Sequence, residues 1–508
     1  MLSSASEAEL DCEAKFAHTS TMAKEKEMSS SAGEPEFGGT PPGMIDANAE
    51  RRLLRKIDLH VYPILFLIYI MSFLDRINIS NARIQGMTRD LDLYGDRFNI
   101  ALFVFFVPFI LLEVPSNMVF KKFKPAYYLS FLMLSWAIVN MCMGFVTTYE
   151  GLVVLRFFLG TFEAGVMPGV VYLTSTYYKR HEFQTRMSFF FCSTVIGGAF
   201  GGLLAYAIAG LDGRNGLAGW RWIFIIEGLM TAAVAIASVF LIVDWPERCH
   251  FLTPEEKQQL ELRLADDGAG SLARMDTLNS YAYRRILTDW KIWLGGLVYM
   301  GVGITGYATT FFMPTILLEF GWTARQAQVH TIPVYAVSAV GMVSVAYLSD
   351  RLKHRYGFII LSCIVSTVGY AMLLCQDRLS SEARYGAVFL VSLGGFAGTP
   401  IALAWLANNV AGQWKRAFSS AIQIALGNIS GIVAAVIFRQ DESPRYLTGY
   451  GTSVALMWFG GVTASLLFAG MLVENKLRDA GKRDWRLNRP KEEVDNMGDY
   501  HPSFRFTL

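Results

Sequence analysis

The sequence predicts an all-α polytopic membrane protein with twelve transmembrane helices in two pseudo-symmetric six-helix bundles. Three observations carry that prediction. The 508 residues are 53% hydrophobic and 17% charged, whereas a soluble domain carries about 25% charge. The apolar residues stand in long blocks of membrane-spanning length. The blocks of one half also echo those of the other at matching positions.

Residues 1–50 are Ser-, Glu- and Lys-rich without an apolar core, so they read as a disordered cytoplasmic tail rather than a signal peptide. The N-terminal bundle, 51–243, contains spans at 59–82, 98–120, 126–146, 150–173, 187–209 and 221–243. The first begins with an apolar run, Val61 to Leu74, that is shorter than the ~20 residues a bilayer requires. It has to continue through "DRINISNA", which places Asp75 and Arg76 inside the membrane. Residues 244–288 form the longest polar stretch between blocks and read as a cytoplasmic linker. Within it "LTPEEKQQLELRL" starts a surface helix, with Thr253 as N-cap, Pro254 in first position and acids in the first turn. The C-terminal bundle, 289–473, contains spans at 289–317, 329–349, 356–376, 384–408, 417–438 and 451–473, and 474–508 is a cytoplasmic tail.

Lysine placement sets the orientation. Lys56, Lys121, Lys122, Lys124, Lys179, Lys353 and Lys415 all fall in tails, even-numbered connections or helix ends on one side. The positive-inside rule makes that side cytoplasmic, with both termini there. The internal echoes are in register. "SNMVFKKFKP" follows the second span and "SDRLKHRYG" the eighth; "EAGVMPG" in the fourth pairs with "FAGTPIA" in the tenth; "GGAFGG" in the fifth pairs with "GNISG" in the eleventh. Two halves with Gly/Pro-interrupted helices at matching positions are the pattern of a secondary transporter, whose site lies at the midplane between halves.

A net charge of +2 without a basic stripe argues against a nucleic-acid partner. The six cysteines are scattered without metal-ligand spacing, so no metal and no cofactor is expected. No nucleophile–base set appears, which argues against an enzyme. The expected partners are the lipid bilayer and a small-molecule substrate, and a monomer is expected.

Charges inside the membrane are costly and persist when paired and facing a bundle interior. Asp75 and Arg76 therefore read as functional, or as an ion pair that locks two helices. In "RFFLGTFEAGVMPG", Arg156, Gly160 and Glu163 stand at i, i+4 and i+7 and share a helical face. Gly160 leaves room for a neighbouring helix or a ligand between the charges. Glu113 in "LLEVPSN" and Glu227 in "FIIEGLM" are also intramembrane. Glu113 is a gating or substrate contact, and Arg221 reads as an interfacial anchor. The second half offers neutral groups that could shape a pocket, Tyr307, Gln423 and Asn428 within helices and Asn408 and Asn409 in "AWLANNVAG".

At "FLDRINISNA", "LLEVPSN", "RFFLGTFEAGVMPG", "GWRWIFIIEGL", "YLSDRLKHR", "AWLANNVAG" and "HPSFRFTL" the chain resembles the major facilitator superfamily, and more closely its anion:cation symporter group and fungal allantoate-permease branch. The resemblance implies proton-coupled uptake of a small organic anion, such as nicotinate, pantothenate or allantoate, at the plasma membrane, with the proton as coupling ion. It implies that Arg76 binds the substrate carboxylate, that Asp75 and Glu163 handle the proton, and that Arg156 links them. Asp350 and Arg351 match the family's cytoplasmic gating motif, whereas its first-half copy has Asn117 where an acid is common. "GGAFGG" lacks the proline of the drug:proton antiporter motif. Export of a fungal metabolite and a non-transporting nutrient sensor are the alternative functions.

Overall fold

The computed structural model describes residues 47–120, 122–269, 284, 286–352, 354–411, 413–490, 493–494 and 497–508. Most of the expected N-terminal tail and the centre of the linker lie outside the described residues. The first span runs Ala47–Ala82, starting well before its apolar block, with buried Ile57 continuing its inward face. The next five are Arg97–Phe120, Pro125–Met143, a two-part fourth span, Arg180–Ile208 and Gly219–Leu241. In the second half they are Trp290–Glu319, Ala324–Leu352, Arg355–Leu374, Ser381–Asn408, Gln413–Ile437 and Leu447–Asp479. Among the described residues eleven segments are long and apolar enough to cross a bilayer. The other predicted span, Arg97–Phe120, has 24 residues and runs about 36 Å at ~1.5 Å per residue, enough to cross the ~30 Å hydrocarbon core. Every predicted span thus coincides with helix. In the linker, Pro254–Ala269 is helical and closed by a reciprocal capping box: Glu256 N–H donates to Thr253 Oγ1 (3.3 Å) and Thr253 N–H to Glu256 Oε2 (2.9 Å).

The packing repeats between halves. Spans 2 and 4 pack as 8 and 10 do, and spans 3 and 6 as 9 and 12 do. Across the halves span 5 lies on span 8, and span 11 lies on span 2. The paired glycine motifs explain these crossings. A Cβ on Gly198 or Gly202 of the fifth span would overlap Tyr335 or Thr331 of the eighth, and one on Gly431 of the eleventh would overlap Phe106 of the second. Lipid supplies no hydrophobic force between helices, so close packing of side chains against small residues holds such crossings together.

The C-terminal tail packs back onto the ends of the second-half spans. Asp499 accepts from Lys291 at the start of span 7 and, at 2.7 Å, from Lys415 at the start of span 11; Asp289 completes the buried cluster. Thr507 exchanges hydrogen bonds with Asn409, and the Leu508 carbonyl accepts from Arg355 N–H (2.9 Å). Burial opposes charge on Asp499, but Lys291 and Lys415 outweigh it and hold its carboxyl below the usual carboxylate range. Its contribution to stability is complete above the unfolded carboxylate range and is lost as pH falls through that lowered value. Asp499→Ala leaves two buried ammonium groups with one partner. Breaking such a pair costs about 3–5 kcal/mol, so thermal unfolding in detergent at neutral pH is expected at a clearly lower temperature. An unchanged unfolding temperature would refute the clamp.

Candidate functional site

Proline builds the fourth span's break. Pro168 has no N–H for the Ala164 carbonyl and its ring crowds that oxygen, so the helix Tyr149–Glu163 ends there and Val166–Ser175 begins. Arg156, Gly160 and Glu163 are all buried on one face. The room at Gly160 belongs to a helix, since a Cβ there would run into the Phe105 carbonyl of span 2.

Glu163 meets the first span. Its Oε1 accepts from Arg76 Nη2 and from Ser72 Oγ (2.5 Å), while Oε2 is buried without a partner. The Arg76 guanidinium lies over the rings of Phe105 (5.3 Å) and Phe109 (5.1 Å). Arg156 stands on the same Phe105 ring, at 4.9 Å, and donates Nε–H to the Ala101 carbonyl (3.3 Å). Both of its terminal nitrogens are buried without hydrogen bonds, within electrostatic reach of Glu163 and Arg76. Two guanidiniums thus share one directly engaged carboxylate.

Arg76 lines a cavity of about 80 Å³ between the halves, walled by Tyr69 and Phe73 of span 1, Tyr299 and Tyr307 of span 7, and Thr399 of span 10. Tyr307 donates to Asn428 Oδ1 (2.8 Å), and Asn428 Nδ2 donates to Glu113 Oε2 (3.4 Å). Glu113 therefore joins span 2 to span 11 and reaches the cavity wall through one side chain.

Other predicted residues stand elsewhere. Asp75 turns away from Arg76 because neighbours on a helix point about 100° apart. Its carboxylate accepts from Trp136 Nε1 (3.0 Å) and Asn140 Nδ2 (2.6 Å) of span 3 and from Thr231 Oγ1 (2.9 Å) of span 6. Gln423 donates to the Gly295 and Ala402 carbonyls (3.3 and 3.0 Å), binding span 11 to spans 7 and 10. Asn408 is half-buried at the far end of span 10, eight residues beyond cavity-lining Pro400. Asp350 pairs with Arg355 at 2.7 Å at an exposed helix end, next to exposed Arg351. Asn140 and Thr231 around Asp75, and Tyr69, Ser72 and Tyr299 around Arg76, are additions to the sequence reading. Tyr69 and Ser72 were findable, lying seven and four residues before Arg76 and so along the same side of the helix.

A sequence model described as Major Facilitator Superfamily matches residues 65–435. An uncharacterized transporter of Schizosaccharomyces pombe is 34% identical over 97% of both chains. The high-affinity nicotinic acid transporter of Saccharomyces cerevisiae is 27% identical, covering 90% of this chain and 85% of its own. In fold, the chain is similar to a bacterial homolog of the human lysosomal transporter Spinster, solved inward-facing and unoccupied, with a TM-score of 0.60, 17% identity, and coverage of 84% of this chain and 97% of that one.

Proposed function

The chain belongs to the major facilitator superfamily, and from that premise we propose that it imports a small organic anion together with protons by alternating access. A carboxylate nutrient or vitamin is the proposed cargo; the nicotinic acid transporter among its relatives supports that class. The proposed setting is the plasma membrane, with both termini cytoplasmic and the protein acting as a monomer.

The carrying observation is the Arg76–Glu163 pair on the cavity wall, with Arg156 unsatisfied behind it. An incoming carboxylate offers Arg76 a planar, bidentate partner and competes with Glu163 for its charge. The displaced Glu163 is left in apolar surroundings beside a second anion. Protonation relieves both penalties, so anion and proton bind with positive coupling. Once the substrate has left, Arg156 adds to the positive field that favours release of the proton from Glu163. The proton offsets the charge of the substrate, so the loaded site crosses the low-dielectric barrier with no more net charge than the empty one.

Uptake of labelled nicotinate, pantothenate and allantoate into cells lacking their own permeases, at two external pH values, tests this reading. Accumulation of at least one of them is expected, and it should be greater at the lower pH because the proton is a co-substrate. No accumulation above control cells at either pH would refute the cargo class, and pH-independent accumulation would refute proton coupling.

A further inference from the structure

A second and larger cavity, about 300 Å³, lies beyond the end of span 1. Its wall includes Arg83, which follows Arg76 by seven residues on continuous helix. Seven residues are almost two turns, so the two guanidiniums share a face about 10 Å apart along the axis. Immediately after Arg83 the helix breaks: Gln85 lies at φ −93°, ψ 17° and Gly86 at φ 103°. The left-handed Gly86 also lines the cavity, a conformation an L side chain rarely adopts. Irregular backbone at membrane depth is tolerated where it faces a cavity.

Arg83 is only 9% exposed, and its Nη1 is buried without a hydrogen-bond partner. Its guanidinium rests on Phe98 of span 2 (4.2 Å) and Phe312 of span 7 (5.9 Å), so rings from both halves fix its position. The acid in the same wall, Glu319, accepts through Oε1 from Ser443 Oγ (2.5 Å) and Tyr446 OH (2.7 Å), which also line the cavity. Its Oε2 is buried without a hydrogen-bond partner, within electrostatic reach of Arg83. Arg89 also lines this cavity, but its side chain is largely exposed and pairs with Asp90 (3.5 Å), which leaves Arg83 as the buried cation of the wall.

We infer that this cavity is a second anion site, in which Arg83 holds a small carboxylate at the end of span 1 before or after it occupies Arg76. The ligand class rests on the proposed function. Arg83 supplies the charge, Phe98 and Phe312 hold its plane, and the Arg76–Arg83 face forms a two-step path along span 1. With the tails in the cytoplasm, the site opens toward the outside and serves as the loading position for import.

The test uses full-length protein in nanodiscs and equilibrium binding of labelled nicotinate, benzoate and succinate. The variants are Arg76→Lys, Arg83→Gln, the double variant and Glu319→Gln. Arg76→Lys should keep weak saturable binding of at least one of these anions, and adding Arg83→Gln should weaken that remainder about tenfold or more, a loss of ~1.4 kcal/mol or more. Glu319→Gln removes a negative charge from the wall and should tighten the Arg83-dependent binding severalfold, a gain that mere loss of packing would not produce. Arg83-independent binding in the Arg76→Lys background for all three anions, or unchanged or weaker binding in Glu319→Gln, would overturn the second site. Arg83-dependent binding in a protein with no Arg76-dependent binding would support the second site and refute the proposed cargo site instead.

Discussion

Glu163→Gln is expected to bind and exchange substrate while losing accumulation driven by a proton gradient. Glutamine mimics the protonated acid: it is neutral, matches it in size, and can still accept from Ser72 and Arg76 through its amide oxygen. With the carboxylate charge gone, Arg76 has no competitor for the substrate, so apparent affinity should hold or improve. No proton can bind at that position, so the proton gradient has nothing to drive. The measurements are surface abundance, counterflow in preloaded vesicles, and uptake under an imposed pH gradient. Normal abundance and counterflow with a loss of about a hundredfold or more in gradient-driven accumulation is the expected result, equivalent to ~2.7 kcal/mol of lost coupling. Retained gradient-driven uptake would remove Glu163 from the coupling step. A collapse in abundance would instead make the Arg76–Glu163 pair structural.

Asp75→Asn should behave differently, because its carboxylate is a three-donor hub between spans 1, 3 and 6. Trp136 and Thr231 both donate to Oδ2 and Asn140 donates to Oδ1, so all three bonds require acceptor oxygens. An asparagine replaces one oxygen with an amide that is itself a donor. If it faces the pair on Oδ2, Trp136 loses its acceptor. If it faces Asn140, that amide has to turn over to offer its unpartnered Oδ1, and in both cases the remaining bonds lose a charged acceptor. Each unsatisfied buried group costs about 1–3 kcal/mol, and bonds to a charged acceptor are the stronger ones. Low surface abundance or a sharply lowered unfolding temperature is therefore expected, and Asp75→Ala should be worse. Normal abundance of Asp75→Asn with lost gradient-driven uptake would return Asp75 to the proton path.

Much of this molecule was legible without coordinates. The length and spacing of apolar blocks are local properties, and they located each span and the capped linker helix at Thr253 and Pro254. Helical geometry alone put Arg156, Gly160 and Glu163 on one buried face. Membrane thickness alone placed Asp75 and Arg76 at depth, because an apolar run ending at Leu74 is too short to cross. The matched glycine motifs announced two related halves, though not that their glycines are the points where the halves touch.

Only the tertiary structure decided which partners these side chains meet. It separated neighbours Asp75 and Arg76, giving one to spans 3 and 6 and the other to Glu163 and the cavity. It turned Gln423 to backbone carbonyls and set Tyr307, Asn428 and Glu113 in a line between the halves. It also folded the tail onto Lys291 and Lys415, and brought Tyr446 and Glu319 around a cavity beside Arg83. The physical reason is a difference in range. Entry into the bilayer is set by hydropathy summed along one helix, which any window of sequence contains. Helix pairing inside the bilayer gains little from hydropathy and depends on close packing at small residues and on a few polar contacts. Those contacts join residues far apart in the chain, such as Arg76 with Glu163 and Lys291 with Asp499, and the folded bundle is what selects them.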